Sequence, residues 1–338
     1  MELLNKLMKI SRIMVLSLLA MTSCQPVQQK MQLQGFAQGS YYAITYYDVQ
    51  GRNFQTSIDS IFELVDKSVS LWDTNSIISK VNRNEDVELN DVFVDNFNLA
   101  RETSELSGGY FDATIGPLVT AWGFSYKQGR VMTQDMIDSL RMLVDYRKVH
   151  IEDGRVVKAC PAMTLDFNAI AQGYTSDLIA SFLESQGIEH YLVDTGGEIM
   201  AKGHKPDGSA WIVGIEKPAE NWDSDREIQT KIRLGNKGLV TSGSYRKYVE
   251  RDGKRYSHSI DPNTGWSVQH NLLSVTVMAE NSARADALAS VFMIMGLEKS
   301  LQLIPTLDDV DAFFIYSDVD GTPATYCTDG FKAVMISE

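Results

Sequence analysis

The sequence predicts an α+β fold built as one domain, and three observations carry that prediction. Apolar residues alternate in some segments and recur at helical spacing in others, so both element types are present. The two kinds interleave without the strand–helix–strand rhythm of a doubly wound parallel sheet. From Met31 to Glu338 there is no internal repeat, no low-complexity segment and no composition shift that would mark a linker. With 338 residues, 44% hydrophobic and 22% charged, the chain has the composition and length to bury a large core.

The elements read in order as follows. Phe36–Tyr47, containing G-S-Y-Y-A-I-T-Y-Y, has β-rich composition and reads as a strand entered through Gly39. Ile58, Ile61, Phe62, Val65 and Val69 share one face, which predicts an amphipathic helix from Asn53 to about Val69. A second helix is predicted near Val92–Leu106, stopped by Gly108 and Gly109. A third runs from about Gly173 to Gln186, with Leu178, Ile179, Phe182 and Leu183 inward and Gly187 as its stop. His190–Val193 reads as a short buried strand emptying into a D-T-G-G turn. Strands follow at Trp211–Ile215, Leu239–Thr241 and Leu273–Ala279. A last helix is predicted over Ala283–Met295, ended by Gly296, and the acidic stretch Glu220–Glu227 reads as an exposed loop.

Residues 1–23 read as a leader rather than as part of the fold. Lys6, Lys9 and Arg12 form a positive start, and Ile13–Met21 is an apolar run too short to span a bilayer, which takes roughly 20 residues. Thr22, Ser23 and Cys24 then resemble the processing site of a bacterial lipoprotein signal. That reading makes Cys24 the lipidated first residue, 24–30 a polar tether, and 31–338 the folded domain. The chain is then expected on the periplasm-facing side of the cell envelope, anchored by lipid rather than spanning the membrane. The alternative is an ordinary secretory signal with an incidental cysteine. Cys160 and Cys327 remain as two thiols, expected to be buried and free. A net charge of −13 and the absence of a basic cluster exclude nucleic acid as a partner.

Four segments carry candidate chemistry. In S-G-G-Y-F-D-A-T-I-G-P-L, from Ser107 to Leu118, the glycines let backbone approach a ligand and Pro117 fixes the following turn. L-D-F-N-A-I-A-Q-G-Y runs from Leu165, and its Asp166 reads either as a ligand contact or as the cap of the helix near Gly173. H-S-I-D-P-N-T-G runs from His258, one of five histidines and a side chain able to accept a proton near neutral pH. In A-R-A-D-A-L-A-S, from Ala283, Asp286 and Ser290 stand at i and i+4 and share a helix face. Both offer the hard oxygens that Mg²⁺ selects, although alone such a pair is more often a cap or a solvated face.

Taken together and in this order, these segments resemble the ApbE-type FAD:protein FMN transferases, from about Gly35 to the C-terminus. The resemblance implies a single ApbE-like, T-fold-like domain with mixed or antiparallel sheets and packed helices. It implies that Asp286, Ser290 and the backbone carbonyl of Ala169 hold Mg²⁺, with Ser290 standing where the family usually has Thr. It places FAD, as substrate, against Tyr110, Phe111, Asp112, Asp166, Gln172 and Ile260. Gln172 stands where Lys is commoner and so brings no charge to the pyrophosphate. Gln38 occupies a slot where Met is frequent, and Trp72 one where an aromatic packs on the flavin. The D-T-G-G turn at Asp194 and the loop of Thr241, Ser242 and Gly243 are expected to line the same region.

The activity implied is Mg²⁺-dependent transfer of FMN from FAD to a Thr or Ser hydroxyl of an acceptor protein, releasing AMP, with His258 as catalytic base. The acceptor site in this family is D-x-x-[ST]-G-[AT]-[ST], which this chain lacks, so the acceptor is expected in another protein, a redox-pump subunit. Two other readings remain open at this point. One is an Mg²⁺-dependent FAD pyrophosphatase giving FMN and AMP, and the other is a non-catalytic periplasmic FAD-binding lipoprotein.

Overall fold

A computed structural model describes residues 27–124, 129–218, 227–244, 248–251 and 254–336. Residues 1–23, read above as a leader, Cys24 and most of the acidic stretch Glu220–Glu227 lie outside these residues. Among the described residues, no helix is long and apolar enough to cross a membrane.

The described strands build an eight-stranded antiparallel sheet, which confirms the α+β prediction. Its first half is β1 (Gln29–Ala37), β2 (Ser40–Asp48), β5 (Tyr191–Thr195) and β6 (Glu198–Lys202). Its second half is β9 (Lys237–Gly243), β12 (Leu272–Ala279), β13 (Asp311–Ser317) and β14 (Pro323–Cys327). Three two-stranded ribbons stand apart: β3 (Val149–Glu152) with β4 (Arg155–Lys158), β7 (Trp211–Glu216) with β8 (Ile228–Leu234), and β10 (Tyr248–Arg251) with β11 (Lys254–Ser257).

The predicted single strand over Phe36–Tyr47 is instead a hairpin. Ala37 pairs with Ser40, and the two residues between them, Gln38 and Gly39, have φ of 51° and 74°. Positive φ at both central positions matches the right-handed twist of the strands, the geometry of a two-residue hairpin turn. β1 also begins at Gln29, two residues inside the segment read as tether.

The predicted helices are present: α1 (Gln55–Val69), α3 (Asp91–Leu106), α6 (Ala171–Ser185) and α7 (Ser282–Met295), with the short α2 (Ile77–Asn82), α4 (Gly116–Trp122) and α5 (Gln134–Arg141) between them. α7 is not the last helix, since α8 (Leu297–Leu303) and α9 (Asp329–Val334) follow.

Both faces of the sheet are covered, so its central strands are apolar on both sides rather than alternating with polar residues. On one face Val275, Val277, Ala312 and Phe314 pack with α3 and α7 in the main core. Tyr42, Ile44, Tyr46 and Val193 of the same sheet pack with Ile58 and Phe62 of α1 and Ile179 and Leu183 of α6. The opposite face, with Ile199, Leu239, Met278, Phe313 and Ile315, is closed by Trp211, Val213 and Ile232 of the β7–β8 ribbon and by Phe331 of α9. α4 and α5 make a satellite core of Leu118, Trp122 and Ile137 with Ile260.

α7 is apolar nearly all round, with Ala283, Ala285, Ala287, Leu288, Ala289, Val291 and Phe292 buried, as suits a helix enclosed by protein. Cys160 and Cys327 are unpaired, and each is half-buried rather than fully buried as expected.

Candidate functional site

The sheet and helices bring the motif segments together. Asp166 N–H donates to the Ala113 carbonyl at 2.8 Å, and Ile115 bridges Thr164 in parallel. A Cβ at Gly116 would fall 2.8 Å from the Thr164 carbonyl oxygen, so only glycine lets these two segments lie so close. Asn82 fixes the second segment from α2, donating to the Leu165 carbonyl at 2.8 Å and accepting from Leu165 N–H at 2.7 Å. Between these parts opens a cavity of about 600 Å³, lined among others by Leu71, Gly116, Pro117, Thr164 and Asp166.

Asp166 is buried, and desolvation raises its pKa from the ordinary carboxylate value to about 6. Its Oδ1 accepts from Asn168 N–H at 2.8 Å, a local turn contact. It does not cap α6, whose N-cap position is Ile170 with no side-chain cap, so the capping alternative falls away.

Asp286 is buried within the alanine-rich α7, where an isolated carboxylate would be costly. Its Oδ2 accepts from Gly173 N–H, in the first turn of α6, at 3.2 Å. A Cβ at Gly173 would meet Asp286 Cβ at 2.9 Å and the Ser282 carbonyl oxygen at 2.6 Å, so glycine is what lets the helices touch. Ala169 lies one turn before Gly173, and its carbonyl accepts no hydrogen bond among the described residues. Ser290 lies one turn beyond Asp286 on α7 and is half-buried.

The Asp286 carboxylate, the Ser290 hydroxyl and the uncommitted Ala169 carbonyl are all hard oxygen donors, the kind that Mg²⁺ selects. Among the described residues no group of three or more His, Cys, Asp or Glu gathers to hold a metal ion.

Gln172 stands at the other side of the α6 N-terminus. Its Nε2 would be 2.3 Å from a Cβ at Gly196, and Ser40 Oγ would be 2.7 Å from the same point. Gln172 therefore packs where the β5–β6 turn meets the start of β2, two residues from Gln38. The turn itself is closed by Asp194, whose Oδ1 accepts from Gly197 N–H at 2.8 Å.

Gln38, at φ 51°, lies close to Asp66 of α1. The Asp66 pKa is raised, first by burial, against the lowering effect of Gln38, and Asp73 adds to the rise. Trp72 is 63% exposed beside the cavity-lining Leu71 rather than packed in a core.

The remaining predicted residues lie on a second flank. Tyr110 accepts a hydrogen bond from Lys299 Nζ at 2.6 Å, with the ammonium also 4.8 Å from its ring centroid. Asn263 donates to the Gly109 carbonyl at 3.3 Å, which joins the H-S-I-D-P-N-T-G turn to S-G-G-Y. His258 lies edge-on to Phe124, with ring centroids 6.3 Å apart, just past the C-terminal end of α4, while the cavity-lining Gly116 and Pro117 begin that helix.

Three predicted contacts have their side chains turned into the fold. Phe111 is in the main core and Ile260 in the satellite core. Asp112 is buried with Oδ1 accepting from Thr114 N–H and Oγ1–H, and Oδ2 from Tyr146 N–H at 2.8 Å. Burial raises its pKa despite those donors. Thr241, Ser242 and Gly243 are not a loop: they end β9, with Thr241 Oγ1 2.8 Å from Thr276 Oγ1.

Sequence reasoning missed Asn82, Lys299 and Asp177. Asn82 and Lys299 act across 83 and 189 positions of sequence, and no local pattern announces either. Asp177 did carry a signal, an acid inside the apolar periodicity of α6 at i+4 from Gly173. Its oxygens accept from Ser282 N–H at 2.9 Å and Ala283 N–H at 2.8 Å, and burial raises its pKa to about 6.

Comparison with known proteins agrees with this arrangement. Residues 38–314 match the ApbE family. A curated relative from Vibrio cholerae, named FAD:protein FMN transferase, is 34% identical over 94% of this chain and 97% of its own length. One of the same name from Haemophilus influenzae is 31% identical over 84% and 86%. Among solved structures, the flavin transferase ApbE from Vibrio cholerae superposes with a TM-score of 0.81 at 32% identity, covering 91% of this chain and 99% of that one. The apo form of the Pseudomonas stutzeri flavinyl transferase ApbE gives 0.80 at 32% identity, covering 91% and 97%. A match over most of the sequence, a shared fold and the contacts that link the four separated motifs make this chain a member of the ApbE family.

Proposed function

We propose that this chain transfers FMN from FAD to a Thr or Ser hydroxyl of an acceptor protein, with Mg²⁺ as cofactor. The observation that carries the reading is the meeting of Asp286 with the N-terminus of α6 beside the uncommitted Ala169 carbonyl, in a chain whose relatives are named FAD:protein FMN transferase.

Asp286, Ser290 and the Ala169 carbonyl would hold the metal. When bound, Mg²⁺ supplies positive charge to the pyrophosphate as the bridging bond breaks. The cavity beside Asp166 and the exposed Trp72 offer FAD an enclosed wall and an aromatic face, and Gln172 and Gln38 offer uncharged donors at the hairpin tip. The acceptor hydroxyl attacks the FMN phosphorus, the P–O bond to AMP breaks, and AMP leaves with the bridging oxygen. The hydroxyl proton passes to His258, which turns the acceptor into a phosphoester-linked flavoprotein. The acceptor carries a D-x-x-[ST]-G-[AT]-[ST] site and is an exported redox-pump subunit. Cys24 anchors the enzyme by lipid on the periplasmic side of the envelope.

Incubation with FAD and Mg²⁺, with and without an acceptor domain carrying that site, tests the reading. In-gel flavin fluorescence on the acceptor, accompanied by AMP, is expected, and Asp286→Ala should abolish both. AMP release without protein-bound flavin would make the protein a pyrophosphatase, and FAD binding without AMP would make it a binding protein.

A further inference from the structure

We propose that Asp177 is a positioning residue for the metal site, acting by fixing the first turn of α7 against α6; the inference rests on the proposed Mg²⁺ role of Asp286. The contact between the helices is reciprocal. α6 gives Gly173 N–H to the Asp286 carboxylate at 3.2 Å. One turn later α6 receives two N–H groups of α7, from Ser282 at 2.9 Å and Ala283 at 2.8 Å, on the two oxygens of Asp177. Gly173 and Asp177 stand at i and i+4, so one face of α6 makes all three bonds.

The N-terminal N–H groups of a helix have no partner within it. The Asn281 side chain takes the one at Arg284 at 2.8 Å, and Asp177 takes the two before it. The other side of this turn is closed as tightly. A Cβ at Gly238 of β9 would lie 2.2 Å from the Asn281 carbonyl carbon and 2.4 Å from Ser282 N. The turn is thus held between β9 and α6 with no room to shift, and Asp286 follows directly from it. The half of the donor set on α7 is registered by Asp177 to the half at Ala169.

Residues that orient a metal's ligands typically contribute about 10–100-fold to its affinity. Asp177→Asn keeps the shape but turns an NH₂ toward a main-chain N–H, donor against donor. Titration of the purified protein with Mn²⁺, followed by electron paramagnetic resonance of the free ion, reads binding without turnover. The expected result is a dissociation constant raised about 10–100-fold, with FAD affinity in the absence of metal kept within a few-fold. Lower stability in urea with unchanged Mn²⁺ affinity would overturn the inference, because Asp177 would then be a helix cap and nothing more. If the Asn variant does not fold, Asp177→Glu keeps both acceptor oxygens one methylene further out. It should still weaken Mn²⁺, and wild-type affinity in it would also overturn the inference. Binding lost in Asp286→Ala but intact in the Asp177 variants would sink this inference alone, whereas a wild-type protein that binds no Mn²⁺ would sink the metal reading with it.

Discussion

Replacing Asp166 by Asn should stabilise the protein in the absence of ligand, and only where the carboxylate would be ionised. The wall of the cavity raises the Asp166 pKa from 3.8 to about 6 by desolvation, against a single main-chain hydrogen bond from Asn168. A shift of about two units corresponds to roughly 3 kcal/mol of cost for carrying the charge in the folded state. Between pH 4 and 6 the folded protein holds a proton that the unfolded chain releases. Stability from this group therefore falls as pH rises through that window and is flat above it.

Asn keeps the oxygen that Asn168 N–H needs and never ionises. The variant should be more stable than wild type by up to about 3 kcal/mol at pH 7.5, with the gain vanishing near pH 4. Urea denaturation of both proteins at the two pH values measures the difference. Asp112 and Asp177, whose pKa values are also raised by burial, are present in both proteins and cancel. The same variant should lose at least about tenfold in FMN transfer if the charge serves a ligand contact. Equal stability at pH 7.5, or a gain of the same size at both pH values, would refute the reasoning.

Gln172→Lys should tighten FAD binding by about 1 kcal/mol through a charge-assisted contact; an unchanged dissociation constant would place the side chain away from the pyrophosphate. His258→Asn should slow transfer by about 10²–10⁴-fold with FAD affinity kept within a few-fold, and equal losses in both would mark a binding or structural residue. Asp48, buried and held by the Arg52 guanidinium at 2.8 Å with help from two main-chain N–H groups, has its pKa lowered to about 2. Its contribution is complete above the unfolded value of 3.8 and is lost as pH falls toward 2, so Asp48→Asn should cost roughly 2 kcal/mol at pH 7 and little at pH 2. Chemical denaturation at the two pH values checks it.

What the sequence showed, and what it hid, follows from where each signal resides. Helices with one apolar face, such as Gln55–Val69, were legible because periodicity survives without knowledge of partners. The β1–β2 hairpin was not, because its turn is Gln-Gly rather than Asn-Gly, and the strain at Gln38 is visible only as a positive φ. β13 was missed although D-A-F-F-I-Y-S is apolar at its centre, since a strand covered on both faces shows no alternation. The shared face of Asp286 and Ser290 was legible from spacing, whereas a carbonyl such as that of Ala169 leaves no trace in residue type. Asp112 looked like a ligand contact by its motif, yet its oxygens are taken up by Thr114 and Tyr146, main-chain and hydroxyl partners that no sequence pattern displays.

The glycines show why these motifs have the form they do. A carboxylate on a buried helix becomes a candidate ligand only if another element brings oxygen donors close to it. Gly173 lets the α6 N-terminus reach Asp286, Gly238 lets β9 press against the turn before it, and Gly116 brings the wall carrying Asp166 alongside α4. Each position would place a Cβ under 3.0 Å from backbone of another segment, so even alanine would force the segments apart. The chemistry-bearing side chains of the four motifs, Asp166, Gln172 and Asp286 among them, are therefore only half of the signal. The other half is the residue with no side chain beside each of them, which sets how closely the backbones pass and hence whether the oxygens can meet around one ion.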